Sequence, residues 1–436
     1  MNMIVSKFGG SSLCDATHIK KVAQILKSDS SRVVAVVSAP GKRNKEDTKI
    51  TDALYRCEKL VATGVSCKDE FEVIRERYLT IAKDLGVKGN IASALDEVYD
   101  NISKGAGKDY AASRGEYLNA VIISQYLGWN LIDASDVVLI EQDGTVNEQT
   151  YVDLKKAINP KEHYIFPGFY GRDTNGKVKT FSRGGSDISG AIVARSLGEC
   201  LYENWTDVSG ISKADPRIIS DAKVIDKLTY NEVRELASVG FNVFHEEAIA
   251  PVREAGIPIQ VKNTNKPEDK GTSIVASRDP LVVPIVGLTA KKGYFKIAIH
   301  KLFILKKPQV KVEIEAKLIE AGFSLEFILR GIDDLTYYAQ GEDVAEETIT
   351  QLINNLTQTH LLEEMEITSG FAIAAVTGVG LGHEKKKISL VASSLLEKGL
   401  DVEFVQLGAS PITALFGIKE EQTNSVIHTL YDLLFR

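Results

Sequence analysis

Four short stretches of the chain combine residue types that can do chemistry. Lys7-Phe8-Gly9-Gly10-Ser11-Ser12 lies where an apolar run ends and a helical pattern begins. Glycines let a backbone approach an anion closely, and a helix start offers unpaired N–H groups. Lys7, at the strand end, can point its ammonium at a phosphate. The GxxxxGK[ST] spacing of a Walker A loop is absent, and an ordinary Gly-rich turn accounts for the same residues. In Phe181-Ser182-Arg183-Gly184-Gly185-Ser186-Asp187, Ser186 is a candidate N-cap for the helix that follows. Arg183 can hold a carboxylate through two parallel hydrogen bonds, and Asp187 falls in a first helical turn, where a carboxylate also suits the helix dipole.

Trp205-Thr206-Asp207-Val208-Ser209-Gly210-Ile211 follows an apolar strand and continues to Asp215-Pro216-Arg217. Open α/β sheets bind ligands beyond their strand C-termini, so Thr206 and Asp207 can contact a nucleoside and Arg217 a phosphate; a turn-rich loop is the competing reading. In Ser113-Arg114-Gly115-Glu116, the carboxylate of Glu116 can receive an ammonium, although acids in first helical turns are common. The seven histidines (His18, His163, His245, His300, His360, His383, His428) are dispersed. There is no HExxH pair and no GxSxG, so neither hydrolase chemistry nor a transition-metal site is expected.

These stretches need elements to position them. Ile4–Phe8 reads as a buried strand, a helical pattern follows at Ile19, Val22, Ala23, Ile25 and Leu26, and Arg32–Ser38 is a continuous apolar run. Strand, Gly-rich turn, helix, strand implies an α/β domain with a largely parallel sheet covered on both faces. Residues 51–127 are helical in pattern, broken near Gly64, Gly86 and Gly105. Strands are expected at 137–140, 163–169 and 178–182, a helix over Ser186–Leu197, a strand over Cys200–Trp205, helix over 230–255 and a strand over Ile257–Lys262. Beyond residue 280 the rhythm changes to two βαββαβ units in tandem, about 290–368 and 369–436, each on the order of 70 residues long. The expected domains are therefore 1–280 and 281–436.

Composition bounds the rest. The 436 residues carry a net charge of −7, which argues against a general nucleic-acid binder. Four cysteines (Cys14, Cys57, Cys67, Cys200) show no CxxC spacing, which fits a reducing compartment. No signal peptide or membrane-length apolar run stands out, so the cytoplasm is the default.

Taken together, KFGGSS at 7–12, VVSA at 36–39, SRGE at 113–116, SRGGSD at 182–187, WTDVSGI with ADPR at 205–217 and GIPIQVKNT at 256–264 resemble aspartokinase, in the same order along nearly the whole chain. The resemblance implies the amino-acid kinase fold, an αβα sandwich around a mostly parallel sheet, followed by paired ACT domains. It implies ATP-dependent phosphorylation of the L-aspartate side chain to 4-phospho-L-aspartate, the first step toward lysine, threonine and methionine, with MgATP as co-substrate. By the same resemblance, Lys7 stabilises the phosphoryl group in flight, with Gly9, Gly10 and Ser11 around the phosphates. Asp187 holds Lys7, Glu116 binds the substrate ammonium and Arg183 its α-carboxylate, and Ser38, Thr51 and Ser186 face the substrate. Thr206, Asp207 and Arg217 contact ATP, and Asn265 and Lys266 share the place of a nucleotide-binding lysine.

Some residues depart from the family pattern. Pro40–Glu46 lengthens the loop before Thr51, Phe244-His245-Glu246 replaces a His-Pro, and Gln406–Pro411 replaces a QGSSE-like stretch. An amino-acid effector, lysine or threonine, is expected at Glu326 with Asp333 and Asp334 of the first ACT-like unit, and assembly as a homo-oligomer through the ACT region. No nucleic-acid or membrane partner is expected. The alternatives are another amino-acid kinase of the same fold and a non-catalytic amino-acid sensor. Since an aspartate side chain titrates near ~3.9, the attacking carboxylate is already ionised and needs no general base.

Overall fold

A computed structural model describes residues 3–182, 184–241, 246–341 and 344–436. Contacts divide the chain into two units. Met1–Ile211, Val224–Ala237 and Asn242–Arg278 form the first; Ser212–Lys223, Ser238–Phe241 and Asp279–Arg436 form the second.

The first unit opens with β1 (Met3–Phe8), α1 (Ala16–Lys27) and β2 (Arg32–Val37), and β2 is buried at every position, as a strand covered on both faces must be. Helices α2 (Ile50–Ala62), α3 (Lys68–Leu85), α4 (Ile91–Ser103) and α5 (Lys108–Leu127) follow. Gly86 ends α3 with φ 69°, a left-handed conformation that glycine adopts without a Cβ clash. Then come β3 (Asn130–Leu131), α6 (Ala134–Val137), α7 (Gln149–Ala157), β4 (Tyr164–Pro167), β5 (Tyr170–Arg172), β6 (Val178–Thr180), α8 (Gly185–Leu197), β7 (Cys200–Thr206) and β8 (Lys227–Thr229). The unit closes with α9 (Tyr230–Ser238), α10 (Glu246–Glu254), β9 (Ile259–Asn263) and β10 (Thr272–Val275).

Eight of these strands join in the order β3-β4-β2-β1-β7-β9-β10-β8, parallel throughout except between β9 and β10. β1 therefore lies between β2 and β7, and three strand C-termini sit side by side. Phe8, Ala35 and Val37 of the sheet meet Ile19, Leu54, Phe71, Ile74 and Leu118 of the helices in one buried core. Each such large side chain contributes about 1.5–3 kcal/mol on burial. Helix α5 packs on α2, α4, β4 and β6, so polar residues along it are buried too.

Two local expectations change. The strand expected at 137–140 is instead the helical turn α6, begun when Asp133 accepts from the Ser135 N–H, followed by single bridges at Leu139 and Ile140. The helix expected over 230–255 is two helices, α9 and α10.

The second unit contains β11 (Gly287–His300), α11 (Pro308–Glu320), β12 (Ser324–Arg330), β13 (Asp334–Gln340), α12 (Glu346–Gln358), β14 (Glu364–Thr377), α13 (Lys385–Glu397), β15 (Val402–Ser410), β16 (Thr413–Lys419) and α14 (Thr423–Phe435). Its strands form one antiparallel sheet in the order β12-β13-β11-β14-β16-β15. The two modules are nested rather than tandem. Ile297, Ile314, Leu335, Leu352 and Leu356 make one core. Ile285 and Leu288 join Ala372, Val376, Ile388, Phe416 and Leu430 in the other, together with Ala214 and Ile219. The reason is the length of β11 and β14. At fourteen residues each is about 46 Å long, enough to serve two cores. Gly293 (φ 83°) and Gly370 (φ 88°) sit at the crossover, where the register shifts. Among the described residues, no helix is long and apolar enough to cross a membrane.

Candidate active site

Lys7 is the penultimate residue of β1, in register with Val36 of β2 and Asn204 of β7. Its Nζ lies 2.7 Å from Oδ1 of Asp187 in the first turn of α8, and the Asn204 amide donates to the same oxygen at 2.6 Å. The ammonium is thus held by a carboxylate of α8 that β7 fixes in turn, and the residue is almost entirely buried. Below it, Glu203 accepts from Arg32 (2.8 Å), Ser6 (2.8 Å) and the Trp205 indole (2.8 Å), and Trp205 stacks on Phe8. This network fixes β1, β2 and β7 against one another.

The Gly-rich loop leaves β1 as a 3-10 turn, Gly10–Leu13, before α1 begins. Gly9 N–H donates to the Trp205 carbonyl at 3.2 Å and Gly41 N–H to the Gly10 carbonyl at 2.9 Å. A Cβ on Gly10 would stand 2.9 Å from the Ala39 carbonyl oxygen, and one on Gly41 would stand 2.6 Å from the Gly10 carbonyl. Only glycine permits this meeting of two strand-end loops. The hydroxyls of Ser12 and Thr264 are 2.7 Å apart.

Glu116 comes from α5 and is buried. The Ala39 N–H donates to its carboxylate, yet Oε2 has no partner. Burial pushes this group up to about 8. Gly115 allows the approach, since a Cβ there would be 2.9 Å from the Ala39 side chain. Asn119 donates to the Ser38 carbonyl at 2.8 Å. A buried carboxylate with an unused oxygen is costly unless a cation joins it. In the same unit as a buried ammonium and a glycine-lined loop, this suits a ligand with a positive group at one end and negative charge at the other.

The sequence profile described as the Amino acid kinase family matches residues 2–263. Aspartokinase 3 of Bacillus subtilis (strain 168) is 34% identical over 449 residues, covering 99% of this chain and 99% of that one. The chain belongs to the aspartokinases. The crystal structure of Clostridium acetobutylicum aspartate kinase is 37% identical, with a TM-score of 0.92 and full coverage of both chains. Lysine-sensitive aspartokinase 3 of Escherichia coli (strain K12) is 26% identical, again over 99% of each chain.

Other residues singled out from the aspartokinase resemblance fall as follows. Thr51 is half-buried in the first turn of α2. Ser186 is not the N-cap of α8. That place belongs to Gly184 (φ 60°), two residues earlier, while Ser186 packs where a Cβ on Gly168 would stand. Arg183 and the 242–245 stretch, with His245, lie outside the described residues. Thr206 donates to Asp207 at 3.1 Å at the end of β7. Exposed Asn265 accepts from Lys21 at 3.0 Å, and Lys266 is exposed beside it. Arg217 belongs to the second unit, where it pairs with Asp215 (2.6 Å) and is exposed.

Glu326 and Asp334 do not meet. Glu326 binds Lys291 (2.6 Å) and the Tyr294 hydroxyl, whereas Asp334 binds His300 (2.8 Å). Lys291 and His300 stand toward opposite ends of β11, about 30 Å apart along the strand. Asp333 accepts from the Phe303 N–H at 2.6 Å.

Sequence reasoning missed Arg77 on α3. Its buried guanidinium donates to Asp47 (2.9 Å), the Gly41 carbonyl (3.0 Å) and the Cys14 carbonyl (2.7 Å). It ties the lengthened loop to the end of the Gly-rich turn. Hydrogen bonds from Arg43 and Arg77 hold Asp47 well below the usual carboxylate range. Only the lengthened loop hinted that a distant cation was needed. Arg77→Met removes one partner of a buried pair, so it is expected to cost about 3 kcal/mol. Urea unfolding reads this as a lower midpoint at unchanged slope; an unchanged midpoint would mean that the loop is held some other way.

Proposed function

We propose that this chain transfers the γ-phosphoryl group of ATP to the side-chain carboxylate of L-aspartate, giving 4-phospho-L-aspartate and ADP. The observation that carries the proposal is the unpartnered, buried carboxylate oxygen of Glu116 in the same unit as the Lys7–Asp187 pair. Glu116 receives the substrate ammonium. A carboxylate oxygen of aspartate attacks the γ-phosphorus, and the bond to the β,γ-bridging oxygen breaks. No proton moves, so no general base is required. The obstacle is repulsion between two anions. A unit-charge contact at 4 Å is worth on the order of 4 kcal/mol at an effective dielectric near 20, so Lys7 and the loop N–H groups can offset much of it. Asp187, engaged by Lys7 and Asn204, keeps the ammonium aimed.

Mg²⁺ fits as an ion carried by the triphosphate, with phosphate oxygens supplying most of its ligands and its charge offsetting theirs. The exposed carboxylate of Asp207 is the protein group that would share it. By the aspartokinase resemblance, Thr206, Asn265, Lys266 and Arg217 serve the nucleotide. Ser38, Thr51, Ser186 and Arg183 serve aspartate.

The second unit is regulatory, takes lysine or threonine as an effector, and joins copies of the chain into a homo-oligomer. The name of the lysine-sensitive Escherichia coli relative supports lysine. The buried, unpaired thiols suit a reducing cytoplasm. A coupled ADP-release assay with MgATP tests the activity. Aspartate should turn over and glutamate should not. Turnover of glutamate alone would point to another amino-acid kinase, and turnover of neither to a sensor. In the same assay, saturating lysine or threonine is expected to lower the rate; equal rates with and without each would remove the regulatory role.

A further inference from the structure

The turn beyond the Gly-rich loop carries a cluster that phosphoryl transfer does not use. Cys14 ends the 3-10 turn and Asp15 caps α1, so thiol and imidazole meet across the helix start rather than on a helix face. The Cys14 Sγ is 3.2 Å from Nδ1 of His18 and 3.8 Å from Oδ2 of Asp15. One ligand atom from each of the three residues lies within 4.8 Å of the others, and no other such trio converges among the described residues. The two oxygens of Asp15 are divided between tasks. Oδ1 caps the helix, accepting from the His18 N–H at 2.9 Å and standing 2.8 Å from the ring Nδ1. Oδ2 faces the thiol. Cys14 is buried, while the side chains of Asp15 and His18 are 37% and 32% exposed, so the cluster opens to solvent on one side.

We propose that Cys14, Asp15 and His18 form a site for a thiophilic divalent cation of the Zn²⁺ class. Metal–sulfur bonds of about 2.3 Å and metal–nitrogen and metal–oxygen bonds of about 2.0–2.2 Å put tetrahedral ligand atoms roughly 3.3–3.6 Å apart. The two separations from Sγ, 3.2 Å to Nδ1 and 3.8 Å to Oδ2, bracket that range, and the three ligand atoms lie within 4.8 Å of one another. Oδ2 can ligate while Oδ1 keeps its bond from the His18 backbone N–H; Nδ1 gives up its contact with Oδ1 and binds the metal as the tautomer protonated at Nε2. Three protein ligands leave a fourth position for water, as in open zinc sites. The thiol proton is released to solvent when the metal–sulfur bond forms. Thiolate and imidazole select against Mg²⁺, which takes oxygen ligands, so this site is chemically distinct from that of the nucleotide's metal.

Cobalt reports the coordination directly. The chelator-treated full-length chain, titrated with Co²⁺, is expected to show a thiolate-to-metal charge-transfer band saturating at one equivalent, displaced by Zn²⁺ and unaffected by excess Mg²⁺. Cys14→Ser should abolish the band. Asp15→Asn is the cleaner variant, because Asn caps a helix as well as Asp does. Its melting temperature without metal should match that of the unaltered chain, while its Co²⁺ affinity falls at least about tenfold. If Cys14→Ser fails to fold, the Asp15→Asn comparison stands alone. Absence of the band, its survival in Cys14→Ser through Cys57, Cys67 or Cys200, or an unchanged affinity in Asp15→Asn would each reduce the cluster to a hydrogen-bonded helix cap.

Discussion

Lys7→Ala is expected to lower kcat at least about 10²-fold while the KM for ATP changes far less. Lys7 is buried at a central strand end, and its ammonium is fixed by Asp187 at 2.7 Å. A cation held in place before the reaction needs little reorganisation as charge shifts onto the transferring phosphoryl group. Removing it therefore falls on the transition state more than on nucleotide binding. Lys7→Arg should not restore the rate, because a planar guanidinium cannot take the place of a compact ammonium against Asp187. Steady-state kinetics at saturating aspartate measure both parameters. Near-normal kcat with a raised KM for ATP would mean that Lys7 only holds the ground-state nucleotide.

Glu116→Gln is the second substitution with a large expected effect, and it acts in two opposite directions. Burial raises Glu116 from 4.5 to about 8, so the folded chain prefers it protonated. The stability this lends is complete below about pH 4.5 and is lost as pH rises through 8. At pH 8 the ionised group costs a few kcal/mol, at about 1.4 kcal/mol per tenfold change in proton affinity. Without substrate, Glu116→Gln is therefore expected to melt at a higher temperature at pH 8, with the gain shrinking toward pH 5. Aspartate binding behaves oppositely. Its ammonium needs the ionised carboxylate, so in the unaltered chain the KM for aspartate should fall as pH rises from 6 toward 8, by up to tenfold per unit. Glu116→Gln should raise that KM by about 30-fold or more, the loss of a charged hydrogen bond, and should flatten the pH dependence. A KM independent of pH in both proteins would remove Glu116 from the substrate site.

Much of the catalytic half was legible along the chain. Arg32–Val37 announced a strand covered on both faces, since only such a strand tolerates six apolar or stem-buried residues in a row. The glycines at 86 and 105 marked helix ends, and glycine tolerates the positive φ found there. Glu116 was less legible. On paper it is an acid in a helix; in the fold it is an ionisable group enclosed between α5 and the loop after β2, with one oxygen unpaired. Ser186 misled because a serine before a helical run matches the N-cap pattern, while Gly184 could reach the cap conformation first. The C-D-x-x-H run at Cys14 passed unnoticed because it matches no familiar metal-binding spacing, and only the start of α1 brings its side chains together.

By itself the sequence determined the opening strand, turn, helix and strand, the helical stretch that follows, the Gly-rich turn at the end of β1, the change of rhythm near residue 280 and the family. Each follows from side-chain periodicity or from backbone preferences that act over a few residues. Tertiary structure alone decided three further matters: the protonation of Glu116, the partners of Arg77 and the nesting of the two C-terminal modules. Protonation depends on how completely water is excluded, which neighbours distant in the chain set. Arg77 finds Gly41 and Cys14 across 36 and 63 residues, respectively. The modules nest because β11 and β14 pair along their full lengths, and strand pairing at such separations leaves no periodic trace in the residues themselves.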